Sequence, residues 1–268
     1  MYNNMHRCSF FIKRNRSWRS FLDAVPEFPE GNIKISATQL SGSIAMSEEN
    51  LPLPEEYDAR IRATIPRYDG LLADALDVAV HSGVDVKYWV DVGAGTGNMA
   101  IMAMARFPKA KFTLLDISSD MLSVAKSKAG EERTAYVHGS SDKMNINDQT
   151  ADVVTCIQSN HYYDEAGHAK VLEECYRILR PGGLIIVTEN VATRTEKGYA
   201  ILRARLKDYL TEKGRSDNAA EGYLDRYGTE FHPHTVEENI RLMEEAGFSD
   251  VEVFFYNYGQ IGLYGFRR

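Results

Sequence analysis

The sequence has few cysteines, and they are poorly placed for cross-links or metal binding. Only Cys8, Cys156 and Cys175 occur in 268 residues, with no CxxC pair and no Cys/His spacing suited to a metal. An odd, scattered set of thiols argues against a disulfide framework and against a zinc site. We therefore expect no bound metal and a reducing compartment, the cytoplasm.

Long apolar runs are also missing. The run VEVFF, at 251–255, falls far short of the roughly 18 residues that a membrane-spanning helix needs. Acidic residues are absent from the first 22 positions, which leaves 26 basic and 38 acidic residues beyond them, a net charge of −12. An acidic body disfavours long nucleic acids, whose binding depends on neutralised phosphates. We expect a small-molecule substrate and no membrane association, and a homodimer stays open.

The head of the chain has its own character. Residues 1–46 are basic and serine-bearing at their start, which is typical of an organelle transit peptide, and they lack the apolar core of a secretory signal. We favour a disordered or non-native extension over a transit peptide. Met46 precedes the domain-like stretch SEENLPLPEEYDARI and is an alternative start. Residues 47–268 are expected to form the functional domain.

The body alternates between helix and strand patterns. Apolar residues at helical spacing predict two helices between Pro54 and Val80. Strand patterns follow at 88–92, 112–117, 135–139, 153–157 and 184–189, and helix patterns separate them at 98–106, 119–128 and 165–179. This alternation predicts an α/β fold, a doubly wound Rossmann-like sheet that is mostly parallel with helices on both faces.

The rhythm changes after the fifth strand. A long amphipathic helix is predicted at 195–213, and together with a polar, aromatic stretch it forms a cap over about 191–234. A further helix at 235–248 has Thr235 as its N-cap. The last two strand patterns, 251–257 and 261–266, are only three residues apart, which requires an antiparallel hairpin. The sheet then has seven strands, the last of them antiparallel.

A glycine-rich loop follows the first strand. YWVDVGAGTG places glycines at 93, 95 and 97, directly before a helix. Ligands of open α/β sheets bind beyond the carboxyl ends of the strands, where glycines allow close backbone approach and a helix N-terminus offers free N–H groups. Asp116, at the end of the second strand, can accept hydrogen bonds from both hydroxyls of an adenosine ribose. These two features fit a dinucleotide and S-adenosylmethionine (SAM) equally well.

Three further details separate these ligands. Asn98 stands where a dinucleotide fingerprint has its third glycine, LRPGGLIIVTE places a Pro-Gly-Gly turn before a central strand, and the chain closes on a helix and a hairpin. With the glycine loop, these features resemble the class I SAM-dependent methyltransferases over about residues 54–268. The resemblance implies SAM as the cofactor. A nicotinamide-dependent reductase and a non-enzymatic SAM-binding regulatory or partner subunit are the alternatives.

The resemblance also implies a set of cofactor contacts. The family usually has Gly-Asp after its third strand, whereas this chain has Gly139-Ser140, so Ser140, Ser141 or Asp142 must substitute. Besides Ser140 and Ser141, the implied contacts from the glycine loop and the second strand are Gly93, Ala94, Gly95, Gly97, Asp116, Ile117 and Met121.

A closer resemblance lies at the two ends of the domain. YDARIRATIPRYDGL (57–71) and TVEENIRLMEEAGFSDVEVFFYNYGQIGLYGF (235–266) are similar to the ends of carboxy-SAM synthase. That resemblance implies a cofactor contact from Tyr68 and a carboxylate contact from Arg226. The synthase has an Asn after its fourth strand, which falls here on Cys156 or Ile157; neither can replace it, so the adjacent Gln158 is the candidate cofactor contact. We favour ordinary methyl transfer and keep a carboxy-SAM synthase-like reaction as the alternative.

Methyl transfer is an in-line displacement at a sulfonium, so positioning provides much of the acceleration. A general base helps when the acceptor must lose a proton. His161, just past the fourth strand, and Glu189, at the end of the fifth, are our catalytic candidates. Aromatic and arginine side chains suit an apolar, cationic or carboxylate acceptor. The candidate substrate contacts in the cap are Tyr199, Arg203, Tyr223 and Arg226.

Overall fold

The computed structural model describes residues 54–268, with side chains from residue 56 onward. The predicted extension at 1–46 and Cys8 lie outside the described residues. The helices are α1 (Pro54–Thr64), α2 (Tyr68–His81), α3 (Asn98–Arg106), α4 (Ser119–Ala129), α5 (Glu165–Ile178), α6 (Glu196–Glu212), α7 (Asp217–Leu224) and α8 (Val236–Glu245). The strands are β1 (Tyr88–Val92), β2 (Lys111–Asp116), β3 (Thr134–His138), β4 (Ala151–Ile157), β5 (Leu179–Asn190), β6 (Phe248–Asn257) and β7 (Gln260–Arg267).

The seven strands form one sheet in the order β3-β2-β1-β4-β5-β7-β6. Strands β1 to β5 pair in parallel, whereas β7 runs antiparallel between β5 and β6. The predicted Rossmann-like architecture is confirmed. Strand order reverses between β1 and β4, so the crevice for a ligand lies at the carboxyl ends of these two strands.

Two hydrophobic layers flank the sheet. Trp89 of β1 is fully buried on one face with residues of α2, α3 and α4, while Val90 and Val92 face a second layer that includes α5 and α8. The Trp89 indole N–H donates to Thr155 Oγ1 at 2.9 Å, which satisfies its polar atom inside the core. Apolar side chains on both faces are what a parallel sheet covered by helices requires.

Several boundaries differ from the sequence-based prediction. Strand β5 begins at Leu179 and includes the Pro-Gly-Gly turn, because Leu179 already pairs with Ala151 ahead of a register shift. Helix α7 was not predicted. It is eight residues long, begins at the N-cap Ser216, and buries only Ala220 and Leu224, so its sequence carries little apolar periodicity.

The closing elements follow their sequence signals. Thr235 caps α8 in a complete capping box with Glu238, as the N-cap prediction requires. The β6–β7 hairpin has a two-residue link, Tyr258 and Gly259, which holds the strands antiparallel. Between β5 and α8, helices α6 and α7 share a small cluster of Leu202, Leu206 and Leu224.

The described part of the chain also answers the questions of membrane and metal. None of its helices is both long and apolar enough to cross a membrane. Within the same residues, no group of three His, Cys, Asp or Glu side chains is arranged to hold a metal ion. Cys156 and Cys175 are buried free thiols whose sulfur atoms lie 3.5 Å apart, between β4 and α5.

Candidate active site

The glycine loop sits at the carboxyl end of β1 and adopts backbone conformations that favour glycine. Gly93 has φ of +65°, and a Cβ atom there would lie 2.5 Å from Ser159 Cβ, so no larger residue fits without displacing the turn after β4. Gly97 then forms the N-cap of α3, whose first turn carries no acidic residue. The loop therefore presents backbone N–H groups and a positive helix end to the crevice.

Asp116 at the end of β2 braces this loop. Its Oδ2 accepts the Gly95 N–H at 2.7 Å and its Oδ1 accepts the Ser118 N–H at 2.9 Å. Burial raises the pKa of Asp116 above its usual value, and the two backbone N–H groups oppose that rise. Each carboxylate oxygen can accept more than one hydrogen bond. The side chain thus orders the loop and keeps capacity for ligand hydroxyls.

Asp91 on β1 is a second carboxylate in the crevice, and the sequence analysis missed it. The residue is only 1% exposed; its Oδ1 accepts from Thr155 Oγ1 at 2.7 Å, whereas Oδ2 has no hydrogen-bond partner. Burial raises the pKa of Asp91 to about 7. A carboxylate inside an otherwise apolar parallel strand was the available signal. An unpartnered buried acceptor in a cleft suits a cationic ligand group.

Helix α1 covers the glycine loop. A Cβ atom on Gly95 would lie 3.8 Å from the Tyr57 ring, and Tyr57 and Tyr68 both line the cleft above the loop together with Asp91. The enclosed part of this cleft has a volume of about 20 Å³. Burial raises the pKa of Tyr68 to about 12, so its hydroxyl stays protonated at neutral pH. Tyr68 therefore lines the cleft, while its cofactor contact stays a prediction; Tyr57, which lines the same cleft, was not among the predicted site residues.

A polar cluster fastens α1 in this position. Asp58 accepts hydrogen bonds from Thr96 Oγ1 (2.5 Å), Asn98 Nδ2 (2.8 Å) and Lys128 Nζ (2.7 Å). Burial raises the pKa of Asp58, but the bonds from Lys128, Thr96 and Asn98 outweigh that effect and lower it. These four residues join α1 to the glycine loop, α3 and α4, and we call them the Asp58 cluster.

His161 and Glu189 form a buried pair beside the loop. The His161 ring nitrogen Nδ1 lies 2.9 Å from Glu189 Oε2, and both side chains are nearly inaccessible, at 4% and 1% exposed. The same carboxylate accepts the backbone N–H groups of His161 (2.9 Å) and Asn160 (3.3 Å). Two backbone N–H groups and the His161 ring nitrogen thus converge on the Glu189 carboxylate, and a hydrogen bond donated by Nδ1 would leave Nε2 as the acceptor nitrogen.

An aromatic group from the cap packs against this pair. The Phe231 ring meets His161 edge-on at 5.1 Å and Tyr162 at 5.3 Å between centroids. Tyr223 and Tyr227 also contact Phe231, at 5.8 and 5.5 Å. The backbone reinforces the contact, because the His232 N–H donates to the His161 carbonyl at 2.7 Å. The cap thereby closes over the His161–Glu189 pair.

The remaining predicted cofactor residues occupy varied positions. Ile117 is 55% exposed and Met121 is 3% exposed in the core beside Ser118. The Ser140 hydroxyl donates to Asp142 and lies 3.2 Å from the Tyr163 hydroxyl. Ser141 is buried. Gln158 has a left-handed backbone (φ +57°), and its buried Oε1 has no hydrogen-bond partner.

Of the four predicted substrate contacts in the cap, two lie in the aromatic group around His161 and two lie elsewhere. Arg226 and Tyr223 belong to the aromatic group, where the Arg226 guanidinium carbon lies 4.2 Å from the Phe231 centroid. The Arg203 guanidinium pairs instead with Glu221 and Asp225 within the cap. Tyr199 is 37% exposed on α6. The structure therefore brings Arg226 and Tyr223, but not the Arg203 charge, into contact with the group around His161.

Comparison with known proteins places these features in a family context. Residues 90–183 match the family described as a methyltransferase domain. These residues run from β1, through the glycine loop and Asp116, to the Pro-Gly-Gly turn, so they contain most of the cleft described above. Over these residues the chain is therefore similar to a methyltransferase domain.

Two relatives and one solved structure extend the comparison. The chain is 29% identical over 217 residues to 2-methoxy-6-polyprenyl-1,4-benzoquinol methylase, mitochondrial, of Caenorhabditis elegans, which covers 74% of each chain. It is 27% identical over 205 residues to carboxy-S-adenosyl-L-methionine synthase of Wolinella succinogenes, covering 74% of this chain and 84% of the relative. The crystal structure of human N-acetylserotonin methyltransferase in complex with SAM shares the fold, with a TM-score of 0.52 and 21% identity. The match covers 80% of this chain and about half, 53%, of that human protein.

Proposed function

We propose that this chain, a SAM-dependent methyltransferase by its central domain and its relatives, transfers the SAM methyl group to a small-molecule acceptor held beneath the cap. The observation that carries the proposal is the buried His161–Glu189 pair in the turn that packs against the glycine loop. Ser159, two residues before His161, lies against Gly93. A base and a cofactor loop are thus neighbours, which a proton-coupled methyl transfer requires.

The residues of the cleft fit SAM group by group. The Asp116 carboxylate would accept hydrogen bonds from the ribose hydroxyls. The unpartnered Oδ2 of Asp91 would pair with the α-ammonium group, and the N-terminus of α3 would attract the α-carboxylate. SAM supplies a methyl group on a positively charged sulfur, which is already an excellent leaving group. The domain match and the methyltransferase relatives rule against a nicotinamide cofactor.

The proposed chemistry is a single displacement with one proton transfer. A lone pair of the acceptor forms a bond to the methyl carbon, the carbon–sulfur bond breaks, and its electrons stay on the sulfur of S-adenosylhomocysteine. The proton that the acceptor loses moves to His161 Nε2. Glu189 keeps the proton on Nδ1 and stabilises the imidazolium that forms, so it acts as a positioning residue.

The test is turnover to S-adenosylhomocysteine over a panel of small acceptors. With an acceptor in hand, His161→Gln should lower kcat by about 100- to 10,000-fold, the usual contribution of a general base. Its Kd for SAM should stay within about twofold, because the ring does not belong to the cofactor cleft. His232→Gln is the matched histidine control, since only the backbone of His232 bonds to His161. Unchanged kcat in His161→Gln would remove the base from the mechanism.

A carboxy-SAM synthase-like reaction is the second candidate. It is supported by the Wolinella succinogenes relative and by Arg226 beside the His161 group. Mass spectrometry of the ligand extracted from the purified protein distinguishes the two candidates. We expect SAM or S-adenosylhomocysteine. Carboxy-SAM, lost in Arg226→Ala, would replace our proposal with this alternative.

A non-enzymatic SAM-binding regulatory or partner subunit is the remaining alternative. It predicts tight SAM binding in calorimetry with no S-adenosylhomocysteine formed over the whole panel. The methyltransferase proposal gives the His161–Glu189 pair a role as base and positioning residue, whereas a subunit that only binds SAM needs no base. The cytoplasmic location, the exclusion of long nucleic acids and the homodimer stay predictions from the sequence.

A further inference from the structure

Two arginines converge on the ring of Tyr223. The guanidinium carbon of Arg215 lies 5.2 Å from the Tyr223 centroid, and that of Arg226 lies 5.9 Å from it. Arg226 is also 4.2 Å from the Phe231 centroid, and Phe231 is the ring that meets His161 edge-on. Both arginines are half-buried. One aromatic ring, Phe231, therefore separates the Arg226 charge from the proposed base, and two rings, Tyr223 and Phe231, separate the Arg215 charge from it.

The positive charge at this position is not balanced by carboxylates. Glu230 pairs with Arg226 through Nε at 2.9 Å, while Arg215 donates to the hydroxyl of Thr64 on α1. Across residues 56–268, no carboxylate lies within ion-pairing distance of Arg215. Burial lowers the pKa of Arg215, and the nearby charges of Arg60 and Arg226 act in the same direction. The two guanidinium groups that approach Tyr223 thus share one acid, Glu230.

Two acids of α7 and its C-terminus are engaged elsewhere. Glu221 and Asp225 pair with Arg203, and Glu221 also pairs with Lys207. Among the described residues, none of the remaining cap acids on α6 (Glu196, Asp208 and Glu212) forms an ion pair with Arg215 or Arg226. Half-buried like charges without counter-charges destabilise a fold, because the interior screens them less than water does. Such an arrangement is expected where a ligand supplies the missing negative charge.

The neighbouring surface carries the same sign. A second cleft, which shares Tyr68 with the glycine-loop cleft, is lined by Arg62, Arg67 and Lys213, with Asp69 as its one lining acid. The protein as a whole has a formal net charge of −7. A positive region on an acidic molecule attracts anions locally while the rest of the surface repels them. The access to Tyr68 therefore favours an anionic small molecule.

We propose that Arg215 and Arg226 bind an anionic oxygen group of the methyl acceptor, a carboxylate or a phosphate. Each guanidinium carries five N–H donors in a planar fork, and Arg226 uses only part of its set on Glu230. The Tyr223 ring, which both guanidinium groups approach, suits an aromatic acceptor body. This inference rests on the proposed function, and it names the chemical class of the acceptor.

The test compares charged and neutral aromatic probes on the full chain saturated with S-adenosylhomocysteine. Benzoate, phenyl phosphate and benzamide are titrated by calorimetry at fixed ionic strength. We expect at least one of the two anions to bind about 10- to 100-fold more tightly than benzamide, as a charge-assisted contact provides. Arg215→Gln and Arg226→Gln should each abolish most of that preference. The two anions distinguish a carboxylate site from a phosphate site.

Matched variants distinguish the loss of a binding site from simple misfolding. Arg205→Gln removes one positive charge from the same helix as Arg203, where Arg205 lies over the Tyr258 ring, and should leave anion binding unchanged. Glu230→Gln releases Arg226 from its partner and should strengthen anion binding, whereas a purely structural role predicts a loss. Each variant must first show the unfolding midpoint and S-adenosylhomocysteine affinity of the parent chain. Arg226→Met, which keeps the length of the side chain and removes its charge, replaces Arg226→Gln if the latter does not fold.

The outcomes separate this inference from the proposed function. Equal binding of anions and benzamide, absence of binding by both anions, or a preference that survives both arginine changes would overturn the anion site. Failure of the chain to bind S-adenosylhomocysteine or SAM would instead overturn the proposed function. In that event the anion titration is repeated on the unliganded chain, where a preference that depends on Arg215 and Arg226 still supports the site.

Discussion

Asp91 and Asp116 are buried carboxylates on adjacent strands, and they differ in how many of their oxygen atoms accept hydrogen bonds. Asp116 has a backbone N–H group on each oxygen, so its charge is stabilised before any ligand arrives. Asp91 has one hydroxyl donor and an unpartnered oxygen, and its pKa of about 7 reflects burial. The first carboxylate organises the loop, and the second is left for a cation to complete.

Asp91 predicts a pH-dependent cofactor affinity. Its pKa lies above the ordinary 3.8, so the unliganded protein holds Asp91 neutral below about pH 7. A bound α-ammonium group favours the ionised form, so SAM binding must expel a proton there. We expect the SAM affinity to rise about tenfold per pH unit towards pH 7 and then to level off. Calorimetry in buffers of different ionisation enthalpy should detect the released proton.

The matching variant is Asp91→Asn, which keeps the shape and cannot ionise. Its SAM affinity should be weaker at pH 7 and should lose the slope. Without SAM, the stability of the fold changes with pH in the opposite direction to the SAM affinity. The pKa of Asp91 is raised in the folded protein, so ionisation of Asp91 opposes folding. The parent chain should then lose stability relative to Asp91→Asn as the pH rises from about 4 to 7, by up to about 4 kcal/mol. A SAM affinity independent of pH in the parent chain would argue against an ammonium contact at Asp91.

Asp116→Ala should weaken SAM binding by about 1.5 to 3 kcal/mol, the range for hydrogen bonds to a charged group. The loss should lie towards the upper end, because the change also frees the N–H groups of Gly95 and Ser118 from their acceptor. Calorimetric titration of SAM measures it. Asp120→Ala, in the exposed first turn of α4, is the control and should leave the affinity unchanged. Equal affinities for Asp116→Ala and the parent chain would remove Asp116 from the site.

At the scale of elements, the sequence predicted those whose signals are local. The glycine loop, the N-cap Thr235 and the alternation of strands and helices each depend on neighbouring residues, and the structure contains all of them. Helix α7 escaped because its burial depends on packing against α6, which no short pattern records. The Asp58 cluster escaped for a similar reason, since it joins residues as far apart as 70 positions.

The candidate site was only partly predictable for the same physical cause. His161 and Glu189 were identified separately, at the ends of two strands. Their pairing depends on the parallel register of β4 and β5, which brings Ile157 opposite Thr188 and so places the following residues together. Arg203 was a reasonable candidate by type, yet its partners Glu221 and Asp225 come from a helix that the sequence did not reveal. Side-chain pairing across elements was the missing information.

Helix α1 provides a prediction about cofactor release. The Asp58 cluster fastens α1 over the glycine loop, so Asp58→Ala should loosen this cover and speed SAM dissociation by about tenfold. The expected change corresponds to loss of about 1.4 kcal/mol, within the range of a charged hydrogen-bond network that is part-exposed. Stopped-flow fluorescence on dilution of the SAM complex measures the rate.

The control for α1 is Asp69→Ala, which removes an exposed ion-pair partner of Arg62 at the start of α2. Surface pairs of this kind contribute little, so we expect no more than about a twofold change in the dissociation rate. Because the pKa of Asp58 is lowered, the stabilisation from its cluster is complete above the ordinary value of 3.8 and is lost as the pH falls below it. Identical dissociation rates for Asp58→Ala and Asp69→Ala would show that α1 does not retain the cofactor.

At the scale of the whole molecule, charge is distributed unevenly in a way that the sequence alone only suggested. The basic residues of the first 22 positions mask an acidic body with a net charge of −12. Within that body, the unbalanced arginines gather around Tyr223. Local positive charge on a chain of net negative charge would attract a small anion, while the net charge disfavours a polyanion.

The positions of the strands, the cleft and the cap indicate how much of the chain the site needs. Every strand of the sheet, both sides of the cofactor cleft and the cap lie between residues 54 and 268. We therefore expect a chain that starts at Met46 to fold and to bind SAM with the affinity of the full chain. Thermal unfolding should show the same midpoint within about 2 °C, since a difference of 1 kcal/mol would shift a domain of this size by roughly 2–4 °C.

A chain that starts at Tyr68 is the informative contrast, because it lacks α1 with Tyr57 and the Asp58 cluster and should lose both stability and SAM affinity. A marked fall in the midpoint on deletion of residues 1–45 would show instead that the basic head packs on the domain, and its charge would then have to be included in any account of the acceptor site.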